Sequence, residues 1–111
     1  MAYKHGSVVL VTDPYKDGNR PFLVVSNDTR PYYGEDYTLA VMTTTEFEEA
    51  VRLDAADVVE GHLDVHPSYI KPWSLHEFEH DEIHRRVAQV SDTVLQHVAD
   101  AAYGLMEPEE P

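Results

Sequence analysis

The chain predicts a mainly β fold, a small closed or half-closed antiparallel β-barrel followed by one C-terminal α-helix. Two observations predict it. Short β-branched runs follow one another at hairpin-length intervals, punctuated by Gly, Pro, Asn and Asp. From Ser91 onward the apolar residues recur at helical spacing instead. The 111 residues amount to one domain, large enough to bury a modest core without a disulfide or metal staple. There is no cysteine, so structural disulfides, thiolate zinc sites and cysteine nucleophiles are excluded.

Val8 to Val11 is a β-branched run between Gly6 and Asp13-Pro14 and reads as a buried strand. Pro14 to Asn19 is a loop whose turn signal is Asp17-Gly18. Phe22 to Val25 is a second buried strand, opened by Pro21 and closed by Ser26-Asn27-Asp28. A polar loop over 28–36 leads to a third strand, Tyr37 to Thr43. Ala50 to Asp54 alternates as a half-exposed strand does, with Val51 and Leu53 on one face and Arg52 on the other. The stretch 55–67 carries no clear period. Ser68 to Trp73 reads as a strand whose far end Pro72 weakens, and Val87 to Val90 as a short strand. Ser91 then suits a helix N-cap and Asp92 its positive end. Val94 or Leu95, Val98, Ala101 or Ala102 and Leu105 form the apolar stripe, with Gly104 near the helix end and Pro108 beyond it.

Charge is unevenly spread. Acidic residues number 21 against 8 basic ones, a net of -13. Self-repulsion of this size destabilises a compact chain in dilute salt. At ~1 M salt the Debye length falls to about 3 Å and the repulsion is screened. Because the acid is dispersed rather than gathered in a tail, the composition points to the cytosolic protein of a halophile. Residues 1–34 nevertheless carry a net of +1, so an anionic ligand is met there at least electrostatic cost. No segment is apolar for long enough to span a membrane, and the opening residues lack a signal peptide's apolar stretch; a cytoplasmic location is expected.

Two segments carry a resemblance. One is Gly6 to Pro14, a strand ending in Asp-Pro, followed after a loop by Arg20-Pro21 and the strand Phe22 to Val25 ending in Ser26-Asn27-Asp28. The other is Leu39-Ala40-Val41-Met42-Thr43, an apolar strand ending in threonine. Together they resemble the MazF/PemK family of toxin endoribonucleases. The likeness continues through Tyr69, Ile70, Leu75, Phe78, Ile83, Val87 and Val90 and so covers nearly the whole chain. It implies a small SH3-like antiparallel β-barrel of the CcdB/PemK/MazF type, with one toxin domain over 1–106 and 107–111 as an acidic frayed tail. It implies a homodimer, a cognate antitoxin protein as partner, and cleavage of single-stranded RNA without a metal ion or other cofactor. The RNA's own 2′-hydroxyl attacks the neighbouring phosphate. The two residues that carry the chemistry in the family fall on Arg20 and Thr43. RNA contacts are expected at Tyr15, Lys16, Asn19, Ser26, Asn27, Arg30, Tyr32, Tyr33 and Thr44.

The chemistry agrees with that assignment. A phosphorane needs its developing charge steadied, and a guanidinium presents a fixed fork of donors matched to phosphate. Arginine keeps its proton at neutral pH, so Arg20 fits transition-state stabilisation, with Thr43 orienting the 2′-hydroxyl or a phosphate oxygen. The group that removes the 2′ proton is not assigned. Tyr15, Tyr32 and Tyr33 are expected in two loops around this site, where bases stack on such rings for roughly 1–3 kcal/mol each. The chain departs from the family in its short loop Tyr15 to Asn19, where members carry a longer Gly-Ser-Glu-containing one, and in His76, where a basic residue is common. The spacing of His62 and His66, and of His76, His80 and His84, would suit a metal on a helix, but the family pattern puts 76–78 in a strand and 80–84 in a turn. Two other readings remain beside the ribonuclease. One is a CcdB-like inhibitor that binds a protein target through Trp73 and the C-terminal helix. The other is a degenerate regulator that binds RNA or antitoxin without cutting.

Overall fold

In a computed structural model, residues 1–64 and 66–109 are described. They form seven strands and a helix: β1 (Ser7–Thr12), β2 (Asn19–Val24), β3 (Asp36–Thr43), β4 (Val51–Leu53), β5 (Val58–Gly61), β6 (Ser68–Glu79), β7 (Ile83–Val90) and α1 (Asp92–Met106). All pairings are antiparallel, in the order β4-β6-β3-β2-β1-β7-β5. Short 3-10 turns, Ala55–Asp57 and His80–Glu82, precede β5 and β7.

The second of these turns explains the curl. It joins β6 to β7, yet β3, β2 and β1 lie between those two strands. At ~4.8 Å per neighbour a flat sheet would hold them about 19 Å apart, too far for so short a turn. The sheet must therefore roll until β6 and β7 meet. β4 and β5 remain as two separate edges, so the barrel is half closed.

Both faces of the central strands are buried. Val8, Leu23, Ala40, Met42 and Ile70 pack on one side, where Val94, Leu95 and Val98 of α1 join them. Val9, Val11, Phe22, Tyr37, Leu39 and Ile83 fill the other, with Phe78 and Tyr3 against them. This two-sided burial is why β1 and β2 read as continuous apolar runs rather than alternating ones.

The elements depart from the sequence expectations in four places. β2 begins at Asn19, so Arg20 and Pro21 lie within it. β6 continues through Pro72 to Glu79, because its pairing with β3 jumps from Met42–Ile70 to Ala40–Leu75 and leaves Pro72 in a bulge where no ladder donor is needed. β5 occupies part of the stretch that had no clear period, and β7 starts four residues before Val87. In α1, Gly104 is interior and Leu105 is 58% exposed rather than part of the core, as are its neighbours Tyr103 and Met106. Ser91 caps the helix as expected, its hydroxyl accepting from Val94 N at 3.3 Å. At the other end Glu107 N–H still donates to Tyr103 O; Glu110 and Pro111 of the acidic tail lie outside the described residues.

Candidate active site

A proline at the start of β2 organises the site. Residues 23 and 25 point their backbone groups toward β3, as the bond from Val25 N to Thr38 O shows. By the same alternation, position 21 should donate to the carbonyl of Met42. Pro21 has no N–H, and the β2–β3 ladder stops at Phe22–Val41. The Arg20 side chain supplies the missing donors: Nε reaches Met42 O at 3.2 Å and Nη2 at 3.0 Å. A guanidinium has five N–H groups, so this anchor leaves others free to face outward. No carboxylate among the described residues lies within ion-pairing distance of Arg20.

Thr43 follows the anchoring carbonyl directly. Its Oγ1 accepts from Thr45 N at 3.1 Å, which fixes the hydroxyl while leaving its proton to donate. Arg20 and Thr43 both line a cleft of about 630 Å3 at this end of the sheet. Lys16, Asn19 and Thr44, three of the expected RNA contacts, line it as well. Tyr15, 73% exposed, sits beside Lys16, its N–H held by the buried Asp13 at 2.8 Å.

The other expected contacts lie elsewhere. Ser26, Asn27, Arg30, Tyr32 and Tyr33 occupy the loop at the opposite end of the β2–β3 ladder, roughly 20 Å of strand from Arg20. Placing Tyr32 and Tyr33 around the Arg20 site is thus corrected: the loop leaves β2 at its far end. Its polar side chains are engaged locally. Ser26 Oγ accepts from Thr38 N, and Asn27 Oδ1 from Thr29 N and Oγ1. Arg30 donates to Thr38 Oγ1, Pro31 O and Glu77 Oε1.

Sequence reasoning missed several cleft residues. Arg85 enters from β7, which pairs with β1 at Leu10. Its neighbour Arg86 turns to Glu60 at 3.6 Å instead. Of the eight basic residues, Arg30, Arg52 and Arg86 are ion-paired, Lys71 covers the Phe47 ring, Lys4 is exposed ahead of β1, and Lys16, Arg20 and Arg85 share the cleft. The Arg85-Arg86 pair within the acid-rich part of the chain was the signal available. His62 and Asp64 also line the cleft, whereas His76 and His80 pack among aromatic rings, beside Phe22 and Tyr37. Among the described residues no three His, Asp or Glu side chains come together as a metal site would need. No described helix is long and apolar enough to cross a membrane.

A seven-stranded half-barrel with an arginine–threonine cleft defines a small toxin-like fold. A model of PemK-like, MazF-like toxins of type II toxin-antitoxin systems matches residues 4–103, and the chain belongs to that family. Solved structures with the same fold include an endoribonuclease from a mycobacterial species bound to its cognate antitoxin, 22% identical with a TM-score of 0.73 over 98% of each chain. Another mycobacterial endoribonuclease is 19% identical, with a TM-score of 0.76 over 100% of this chain and 97% of that one. A MazE–MazF complex from Deinococcus radiodurans is 18% identical, with a TM-score of 0.73 over 98% and 99%. No curated protein matches the sequence.

Proposed function

We propose that this toxin is an endoribonuclease that cuts single-stranded RNA in the Arg20–Thr43 cleft. One observation carries the reading: three of eight cations converge on one cleft of a chain with a net charge of -13. They outnumber the two carboxylates of the same lining, Asp13 and Asp64, so the cleft is a basic site on an acidic chain and favours an anion. Arg20, fixed at its base by the Met42 carbonyl, faces the scissile phosphate and steadies the phosphorane. Thr43 orients the reacting oxygen. Lys16 and Arg85 hold flanking phosphates, Tyr15 offers a ring for stacking, and Asn19 and Thr44 supply hydrogen bonds at the mouth. The nucleophile belongs to the RNA, so the step needs no metal-activated water. By likeness to the antitoxin-bound relatives, a cognate antitoxin is its partner, and the toxin acts in the cytoplasm as a homodimer built from the 1–106 domain.

The test is cleavage of a long unstructured RNA in concentrated KCl with EDTA, comparing the native protein with Arg20→Ala. Discrete fragments ending in cyclic phosphate, lost in the variant, are expected. An inert native protein across many RNAs would refute the reading and turn attention to a protein target.

A further inference from the structure

The cleft contains a proton acceptor that the arginine–threonine pair does not supply. We propose that His62 is the general base that takes the proton from the attacking 2′-hydroxyl, with Asp64 as its positioning residue; this rests on the ribonuclease reading above.

The backbone delivers His62 to the cleft rigidly. β5 ends at Gly61, paired with Ala88 of β7, and the next N–H, that of His62, donates to Val87 O at 3.1 Å. Gly61 has φ +75°, and a Cβ there would run into the Val87 carbonyl, so only glycine lets the two chains approach this closely. Leu63 then buries its side chain in the core. With Leu63 turned inward, His62 and Asp64 both face the cleft. They meet there, His62 Nε2 to Asp64 Oδ1 at 3.3 Å. In the proposed role the proton sits on Nε2, facing Asp64, and Nδ1 presents the lone pair that accepts.

The chemistry requires such a group. Arginine is protonated at neutral pH and cannot accept the 2′ proton; threonine is no better. The remaining acceptors among the described lining residues are Asp13, Asp64 and His62. Asp13 is buried and its Oδ1 already accepts from Tyr15 N. Carboxylates ordinarily titrate far below neutral pH, whereas imidazole is matched to it. The charged groups that line the cleft with His62 are Asp64 on its own loop, Asp13 just after β1, Lys16 and Arg20 from the β1–β2 turn and β2, and Arg85 from β7.

The step balances without a co-reactant. The O2′–H proton passes to His62 Nδ1 as O2′ bonds to phosphorus. The P–O5′ bond breaks, and the 5′ oxygen takes a proton from solvent. His62 returns its proton to solvent, leaving a 2′,3′-cyclic phosphate and a 5′-hydroxyl.

The experiment measures kcat and KM for RNA cleavage from acidic to alkaline pH, for the native protein, His62→Gln and Asp64→Asn. The His62 side chain is 80% exposed, so the substitution spares the core. His62→Gln should lower kcat on the order of 100-fold, leave KM unchanged and abolish the acidic limb of the pH profile. Free imidazole should restore part of the rate to His62→Ala. Asp64→Asn should lower kcat less and shift the limb toward acid. Binding of an RNA with a 2′-deoxy sugar at the cut should be the same for native protein and His62→Gln. Native kcat and pH profile in His62→Gln would overturn the proposal, as would a change confined to KM. A native protein that cuts no RNA would overturn the ribonuclease reading itself, and this inference with it.

Discussion

At Pro21 the sheet loses one donor, and the Arg20 guanidinium bonds the carbonyl left open, at 3.0 and 3.2 Å. The Arg-Pro pair is therefore one device: proline opens the carbonyl and arginine is aimed by it. Arg20→Lys keeps the charge but has no fork to bridge carbonyl and phosphate, so cleavage should fall on the order of 100-fold in a folded protein. Pro21→Ala restores an N–H that competes for Met42 O. It should leave the melting temperature nearly unchanged while lowering kcat, a split that separates aiming from folding. A second residue ties folding to pH. Burial lowers the pKa of His5 from 6.5, and the nearby Asp92 carboxylate only partly opposes this. The folded state thus resists protonation more than the unfolded chain does. Its contribution is complete above 6.5 and is lost as pH falls through the lowered value. Urea midpoints should drop between neutral and mildly acidic pH, and His5→Gln should flatten part of that drop.

Among the elements, the ends that position the site are also the most constrained. Gly61→Ala would force a left-handed backbone on alanine, costing about 1–2 kcal/mol, and add the collision with Val87 O. The expected loss of more than ~2 kcal/mol is readable by denaturant melts. Ser91→Ala, which removes only the α1 cap, should cost about 1 kcal/mol. These elements differed in how plainly the sequence announced them. β1, β2 and β3 are apolar runs between turn residues, and α1 has both its cap and its stripe, so all four were legible. β5 was not, because Val58-Val59-Glu60 has no alternation and is a strand by virtue of its pairing with β7. β6 looked short because its proline sits in a bulge that local sequence does not reveal. Arg20 and Thr43 were singled out by the family resemblance, and both line the cleft. Arg85 and His62 reach the same cleft only through the sheet order, which places β7 beside β1 and β5 beside β7.

For the molecule as a whole, salt acts in opposite directions on the fold and on its grip. Screening a net charge of -13 should raise the melting temperature steadily with KCl, measurable by thermal scans. Three cleft cations, at about 0.7 each, give RNA affinity a log–log salt slope near -2, so binding should weaken over the same range. A titration series of labelled RNA would show it. Strong salt also removes the mutual repulsion that keeps acidic molecules apart in dilute solution. What then guards against stacking into fibres is the shape of the two open margins. β4 offers three residues and β5 four, with Arg52 and Glu60 among them. Margins that short give a neighbouring copy too few backbone partners to zip onto. The half-closed barrel can thus leave its rim unsealed even where charge no longer enforces distance.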